Sequence, residues 1–447
     1  MKGSRILWWT LAAIVAAALI VFGYMVLGPQ PTDFAGGKRV ALSAYREQDP
    51  TGVPAELRAA GLVQRGEYLT RAADCVVCHT AQGGAPFAGG RAFVLPFGTI
   101  YSTNITPDVD SGIGRDSDAD FLNALHRGIG RGGTRLYPAM PYASYTYMSD
   151  ADALAIKSYL FTLAPLHAPA PANSLAFPFN QRALMRLWSL FFNPDRRYEP
   201  NVERSAEWNR GAYLSEAMAH CGECHTPRNL LFALNNREKF AGATQAGWRA
   251  YDITSDRSSG VGAWSDADLV NYLSIGHADG RGTAAGPMGE AVDESLRHLQ
   301  PSDIHAIVTY VRSVAAIASA DLPAPKAEPV AAAVTAGLPD GSDSRGRAVY
   351  EGACAGCHGW TGVSPVIAFA TLTGTRAVND PTGRNVAQVI VRGGQRHTGH
   401  DAEDMPAFGD AYSDAEIAGV ANYVTARFGA RGSDLTAAQV AKLRAED

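Results

Sequence analysis

The chain has 447 residues, more than one hydrophobic core accommodates, and at roughly 100 to 200 residues per domain the length predicts about three domains. Apolar residues make up 46% and charged residues 19%, ordinary for a globular protein, and the net charge of −5 gives no sign of a nucleic-acid partner. Each of the six cysteines lies two residues from its pair and the second is followed at once by histidine, so none is left over for a disulfide framework.

The N-terminus reads Met1-Lys2-Gly3-Ser4-Arg5 and then runs uncharged from Ile6 to Thr32. That is long enough to span a bilayer, which takes about 20 apolar residues. A cleaved secretory signal would have an apolar stretch of only about 7 to 15 residues followed by a small-x-small site. Here the apolar run continues through Phe22, Tyr24, Met25 and Leu27 without a clear Ala-x-Ala site. Residues 1–32 therefore read as an uncleaved membrane anchor, with a signal peptide as the alternative. Lys2 and Arg5 precede the span and no cation follows until Lys38, which places the N-terminus in the cytoplasm and the rest outside.

Beyond the anchor, one pattern occurs three times. Arg65-Gly66, Arg210-Gly211 and Arg345-Gly346 each open a helix-like segment ahead of a Cys-x-x-Cys-His motif. The motifs are Cys75-Cys78-His79, Cys221-Cys224-His225 and Cys354-Cys357-His358. Behind each follows a capping signal and an apolar helical pattern: Ser149-Asp150 leading to Tyr159, Ser302-Asp303 to Tyr310, and Ser413-Asp414 to Tyr423. The expected arrangement is a terminal helix pair crossing at the glycine with aromatic residues filling the contact. The fold class is then all-α, with three tandem cytochrome c domains after an N-terminal transmembrane helix. The expected domains are 50–170, 195–318 and 343–431, with a linker at 319–342 and a tail at 432–447. The first two share a segment the third lacks, seen as Tyr101 to Asp108 and Tyr251 to Asp256. Asp321 to Asp340, rich in Ala and Pro, reads as a linker that leaves the third domain loosely tethered. The segment from Phe177 to Phe192 is apolar with flanking arginines and too short to span a membrane; it reads as a domain-packing helix or as a membrane-surface or partner-binding patch.

In Cys-x-x-Cys-His the two thiols add to the vinyl groups of haem, and the adjacent histidine becomes the proximal iron ligand. A structural zinc needs four ligands and finds no second Cys pair nearby. A thiol redox pair has no reason to occur three times with histidine following. The cofactor expected is three haem c groups, bound through Cys75, Cys78, Cys221, Cys224, Cys354 and Cys357. A sixth ligand closes each iron, and a methionine recurs behind each motif: Met140 in Tyr137-Pro138-Ala139-Met140-Pro141, Met288 in Gly286-Pro287-Met288-Gly289, and Met405 in Asp404-Met405-Pro406. The metal ligands expected are thus His79 with Met140, His225 with Met288, and His358 with Met405. Met148, Met185 and Met218 are the rival methionines. His126, His277, His397 and His400 read as surface or haem-propionate neighbours, with Arg127, Arg131, Arg281 and Arg392 in the same turns. No catalytic residue is expected in the chain. A multihaem peroxidase or reductase with one open iron is the rival from another class.

Three haem motifs, an N-terminal membrane segment and the strings Gly98-Thr99-Ile100-Tyr101-Ser102-Thr103-Asn104-Ile105-Thr106-Pro107-Asp108, Tyr137-Pro138-Ala139-Met140-Pro141-Tyr142 and His220-Cys221-Gly222-Glu223-Cys224-His225-Thr226-Pro227-Arg228 carry a family likeness. The chain resembles the triheme cytochrome c subunits of bacterial membrane-bound dehydrogenases from about Leu62 to Phe428. The resemblance implies an electron-transfer subunit at the inner membrane, its haem domains facing the periplasm. It would take electrons from a catalytic dehydrogenase subunit and deliver them to ubiquinone or an oxidase. Catalytic partners in the family include quinoprotein alcohol dehydrogenases, flavin-dependent polyol and gluconate dehydrogenases, and molybdopterin aldehyde dehydrogenases. The string Gly276-His277-Ala278-Asp279-Gly280-Arg281-Gly282 to Met288, with the uncleaved anchor, resembles most the subunits paired with molybdopterin and iron–sulfur aldehyde dehydrogenases.

Overall fold

A computed structural model describes residues 2–330, 344–398 and 401–446. The chain begins with α1 (Lys2–Val26), whose Ile6–Val26 stretch is long and apolar enough to cross a membrane and has no fully buried residue. Three helical units follow. The first holds α2 (Leu62–Ala72), α3 (Cys75–Cys78), α4 (Asp118–Arg127), α5 (Tyr142–Tyr145) and α6 (Asp150–Leu160). A connecting helix α7 (Ala183–Phe192) leads to the second, with α8 (Ala206–Tyr213), α9 (Gly222–His225), α10 (Asp266–Ile275), α11 (Gly286–Glu294) and α12 (Pro301–Arg312). The third holds α13 (Ser344–Val349), α14 (Ala355–His358), α15 (Arg384–Arg392), α16 (Asp414–Phe428) and α17 (Ala437–Ala445).

In each unit a helix ahead of the Cys-x-x-Cys-His motif crosses a helix behind it: α2 on α6, α8 on α12, α13 on α16. A glycine sits at each crossing, because any Cβ on Gly66, Gly211 or Gly346 would overlap the carbonyl oxygen of Ala155, Ala306 or Gly419 respectively. Only a residue without a side chain lets the backbones approach this closely. The Ser149 and Ser413 side chains cap α6 and α16 as their sequences predict, accepting from the Asp152 and Glu416 amides. Ser302 does not cap α12. Pro301 takes the first helical position, where a missing N–H leaves no bond unmade, and Gln300 becomes the N-cap.

Helix accounts for 45% of the chain, so the fold is mostly helical rather than all-α. Small antiparallel sheets, turns and irregular loops make up the rest. Phe93, Val94 and Leu95 pair with Ile100, Thr99 and Gly98, because β-branched and aromatic residues flank a tight turn there, and Ser174–Leu175 adds a third strand. Short hairpins also join Ile129–Gly130 to Thr134–Arg135, His277–Ala278 to Gly282–Thr283, and Gly394–Thr398 to Asp401–Met405.

The first two units share one buried cluster, running from Leu69, Ile156 and Leu160 through Tyr213, Met218, Ile307 and Tyr310. Their tyrosines do more than fill the helix crossing. Tyr68 of the first unit donates to Asp303 of the second at 2.6 Å, and Tyr213 of the second donates to Asp152 of the first at 2.5 Å. Asp152 and Asp303 occupy equivalent places in the first turns of α6 and α12 and are almost fully buried. The exchange is therefore reciprocal. The third unit has a separate cluster around Tyr350, Ile417, Val420 and Phe428, and Tyr350 donates inside its own unit, to the Gly359 carbonyl at 2.6 Å.

Two sequence expectations change here. Residues 432–447 are not a tail, since Leu435, Val440 and Leu443 lie in the third unit's core and α17 packs on α16 and α15. The third unit is not loosely held either. Arg249 and Tyr251 of the second unit meet the buried Asp380 at 3.2 Å each, and the Arg249 backbone exchanges two hydrogen bonds with the Asn385 side chain. The described end of the linker lies along the third unit: Leu322 is buried, Arg376 donates to the Pro323 carbonyl, and the Lys326 amide donates to Asn379. Composition marks such a segment as poor in core residues but carries no information about where its backbone groups find partners. Residues 331–342 of the expected linker and His400 lie outside the described residues, as does the His397 side chain.

Candidate functional site

Each Cys-x-x-Cys-His motif forms a single helical turn, α3, α9 or α14, that places both thiols one turn apart with the histidine at or just past its end. In the second and third units a π-helical turn, Leu214–Met218 and Tyr350–Cys354, leads the preceding helix into the motif. No disulfide links any of the six cysteines.

The three histidines are held alike. His79 Nδ1 lies 2.6 Å from the Thr103 carbonyl, His225 Nδ1 2.7 Å from the Tyr251 carbonyl, and His358 Nδ1 2.6 Å from the Ala370 carbonyl. A carbonyl only accepts, so Nδ1 carries the proton and Nε2 is left as the ligand nitrogen. Burial lowers the basicity of all three imidazoles, which keeps them in the neutral form that binds metal. The segment shared by the first two units turns out to be this clamp. In it the Asn104 carboxamide and the Asp252 carboxylate fold the turn by accepting from the backbone amides of Thr106 and Thr254. The third unit reaches the same contact with a shorter loop, its carbonyl 12 residues after the histidine rather than 24 or 26. Thr103, Tyr251 and Ala370 escaped notice in the sequence because a backbone carbonyl has no residue-type signature, although the repeated Tyr101 and Tyr251 strings mark the place.

This donor set fits a covalently attached haem: paired thiols, an adjacent neutral imidazole, and a fixed tautomer presenting Nε2. Burial pushes the Cys221 thiol up to about 12 and the Cys354 thiol up to about 11, opposite to the lowered values of a redox-active Cys-x-x-Cys pair. Among the described residues no group of three or more His, Cys, Asp and Glu side chains gathers as a metal cluster.

Met140 and Met288 pack against the shared core of the first two units, and Met405 against the core of the third. Met140 sits on a turn closed by its amide bonding to the Tyr137 carbonyl. Met405 ends a hairpin strand opposite Gly394. Met288 lies in the first turn of α11, where Pro287 takes the second helical position. Of the rivals, Met148 and Met218 are wholly buried as core filler, and Met185 lies on α7.

His126 and His277 are not surface residues. His126 ends α4, is 1% exposed, and faces Asp150 at 3.6 Å. Burial drives its pKa down to about 4. His277 bonds to Thr283 and Asp279 and stacks on Phe369 of the third unit at 4.3 Å. The four candidate propionate arginines all have protein partners: Asp195 for Arg127, Asp116 for Arg131, Asp268 for Arg281 and Gln388 for Arg392. Arg91, which the sequence did not single out, donates to the Val77 carbonyl inside the first motif and to Glu290 of α11.

The sites adjoin. Tyr145 donates to the Ala73 carbonyl, two residues before Cys75, and its ring meets His220, the residue before Cys221, at 5.4 Å. Between the second and third units the two histidine clamps touch the neighbouring unit. Tyr251, whose carbonyl holds His225, bonds through its hydroxyl to Asp380. Phe369, beside the carbonyl that holds His358, accepts from Thr283 and stacks on His277.

The cytochrome c family matches residues 63–164, and the family described as cytochrome c oxidase, cbb3-type, subunit III matches residues 341–424. A nicotinate dehydrogenase subunit of Pseudomonas putida is 41% identical over 83% of this chain, which spans only 31% of that protein's length. The fructose dehydrogenase cytochrome subunit of Gluconobacter japonicus is 39% identical over 86% of this chain and 82% of its own. The gluconate 2-dehydrogenase cytochrome c subunit of Pantoea cypripedii is 37% identical over 86% of this chain and 90% of its own. With the histidine clamps and paired thiols in place, the chain belongs to the cytochrome c subunits of membrane-bound dehydrogenases.

Proposed function

We propose that the chain is a three-site electron-transfer subunit, built as three tandem cytochrome c domains, that serves a catalytic dehydrogenase subunit outside the inner membrane. The observation that carries this reading is the threefold clamp of His79, His225 and His358 by the carbonyls of Thr103, Tyr251 and Ala370. Haem c, when bound, supplies one-electron redox chemistry. Cys75, Cys78, Cys221, Cys224, Cys354 and Cys357 would attach the group covalently, His79, His225 and His358 would offer it a neutral imidazole of fixed tautomer, and Met140, Met288 and Met405 would each offer a thioether as the second ligand. Methionine opposite histidine favours a higher reduction potential than a second histidine, which suits the acceptor side of a dehydrogenase. The contacts that run from Tyr145 and His220 to Tyr251, Asp380 and Phe369 hold the three sites in series.

The electron acceptor on this reading is ubiquinone or another component of the respiratory chain. Among catalytic partners we favour a molybdopterin and iron–sulfur aldehyde dehydrogenase, on the Gly276–Met288 string, over quinoprotein alcohol and flavin-dependent gluconate or polyol enzymes. Mass spectrometry of the purified chain is expected to show three haem additions, falling to two in the Cys221→Ser, Cys224→Ser double variant. The ferric spectrum is expected to carry a methionine-to-iron charge-transfer band for all three sites, and Met288→Ala to open a single site to carbon monoxide. Carbon monoxide binding in the unaltered protein would instead support a multihaem reductase or peroxidase. Recovery of the chain from detergent extracts without a large dehydrogenase subunit would sink the complex.

A further inference from the structure

Helix α7 is apolar on two opposite faces. Its inner face is occupied: Trp188 Nε1 donates to the Leu231 carbonyl at 2.7 Å, the Trp188 ring meets Tyr142 edge-on at 5.8 Å, and Ser189 shares a hydrogen bond with the Tyr142 hydroxyl. Its outer face presents Leu184, Leu187 and Leu190, exposed to 43%, 55% and 74%. A helix packed on a protein and facing water carries polar residues outside; one that is apolar all round is surrounded by apolar material. The outer face does not end at the helix. Leu230, beside the residue that anchors Trp188, is 81% exposed, and Phe177, seven residues before Leu184, is 79% exposed.

What covers this face is indicated by its neighbour. The Phe191 ring of α7 meets Phe22 of α1 edge-on at 5.0 Å. Phe22 lies four residues before the end of α1, which at about 1.5 Å per residue is about 6 Å inside the end of the apolar span. Amphipathic helices in the plane of a membrane bury their apolar face about 5–10 Å into the headgroup and acyl boundary. Arg237 marks the outer edge of that layer, its guanidinium 4.1 Å from the Tyr24 ring centre and bonded to the Tyr24 and Leu27 carbonyls. Arg186, exposed on α7, adds positive charge suited to anionic headgroups.

We propose that α7 and the Leu230 loop lie in the interfacial layer of the bilayer that α1 enters, so that this subunit meets lipid at a second, in-plane site beside its anchor. The inference rests on reading α1 as a retained anchor. It also fixes orientation. The loop begins four residues after His225, so the second motif lies close to the membrane surface.

The test is photolabelling of the full haem-loaded chain in phosphatidylethanolamine–phosphatidylglycerol vesicles. It uses a lipid-confined diazirine, with glutathione in the water phase as scavenger, followed by peptide mapping. Peptides from α1 and α7 are expected to carry label at least ~10-fold above those from α16, and Leu187→Glu with Leu190→Glu is expected to reduce label on α7 ~10-fold while leaving α1 unchanged. Label on α1 with none on α7 overturns the proposal, leaves the anchor standing, and points to a protein or a second copy on this face. Label on α7 in a chain whose α1 is cleaved or unlabelled supports the in-plane site and removes the anchor. Label on neither overturns both.

Discussion

The first two units and the third are built on the same helix crossing, yet they are joined to the rest of the molecule by different physics. The first and second share one apolar core and exchange buried Tyr68–Asp303 and Tyr213–Asp152 hydrogen bonds, so neither buries its polar groups without the other. The third closes its own core, directs Tyr350 to its own Gly359 carbonyl, and meets the second through polar groups centred on Asp380. A repeated sequence thus gives a fused pair and a docked third copy. Part of the difference is the residue two positions after the crossing glycine, which is Tyr68 or Tyr213 in the fused pair and Ala348 in the third copy.

The sharpest way to break this comparison is to fill one helix crossing at a time. Gly211→Val forces a side chain into the Ala306 carbonyl and is expected to cost about 4 kcal/mol or more. Because the core is shared, haem content per chain should fall by two. Gly346→Val is expected to remove only the third haem, as read by pyridine haemochrome assay; loss of a single haem from Gly211→Val would show that the first two units fold separately. Next in size is Asp303→Ala. It leaves the Arg210 guanidinium buried without the carboxylate it meets at 2.7 Å and strips Tyr68 of its acceptor, a loss of about 3–5 kcal/mol in a urea titration. Asp380→Ala at the docked interface is expected to cost about 1–2 kcal/mol, since Arg249 keeps Asp321 at 2.8 Å. Equal costs for the two aspartates would erase the distinction between fused and docked.

A further effect, read by pH rather than by substitution cost, comes from a histidine of the fused pair. His126 is buried neutral with a pKa of about 4, below the ordinary histidine value. The unfolded chain binds the extra proton first, so stability is fully present above about pH 6.5, falls as pH drops towards 4, and loses about 3 kcal/mol over that window. The expected result is a urea midpoint that falls on acidification in the unaltered protein and loses most of that slope in His126→Asn. An unchanged slope would show that other groups carry it.

The candidate site residues were nameable from the sequence, and for a chemical reason. Thiols, imidazoles and thioethers are residue types, so their spacing at Cys75, His79 and Met140 and at the two later copies can be read directly. The helix crossings were legible because a glycine ahead of each motif answers a steric demand that is the same three times. The carbonyls of Thr103, Tyr251 and Ala370 were not legible, since every residue has one and only the folded path of the loop decides which reaches the histidine. His126 and His277 looked like surface residues beside glycine-rich turns, but burial belongs to the assembled units rather than to local composition. Pro301 shifted the cap of α12 by replacing a side-chain cap with a proline start, a competition that local rules leave open.

By itself the sequence determined the cofactor chemistry, the threefold repeat and the apolar N-terminal helix, because each rests on residue type and short spacing. Only the tertiary structure decided which units fuse and which dock, which carbonyl holds each motif histidine, and that the apolar helix between the first two units stands beside the apolar N-terminal helix. These depend on contacts between residues tens to hundreds of positions apart, such as Tyr68 with Asp303 or Phe22 with Phe191, and such contacts form only when the whole chain has found its packing.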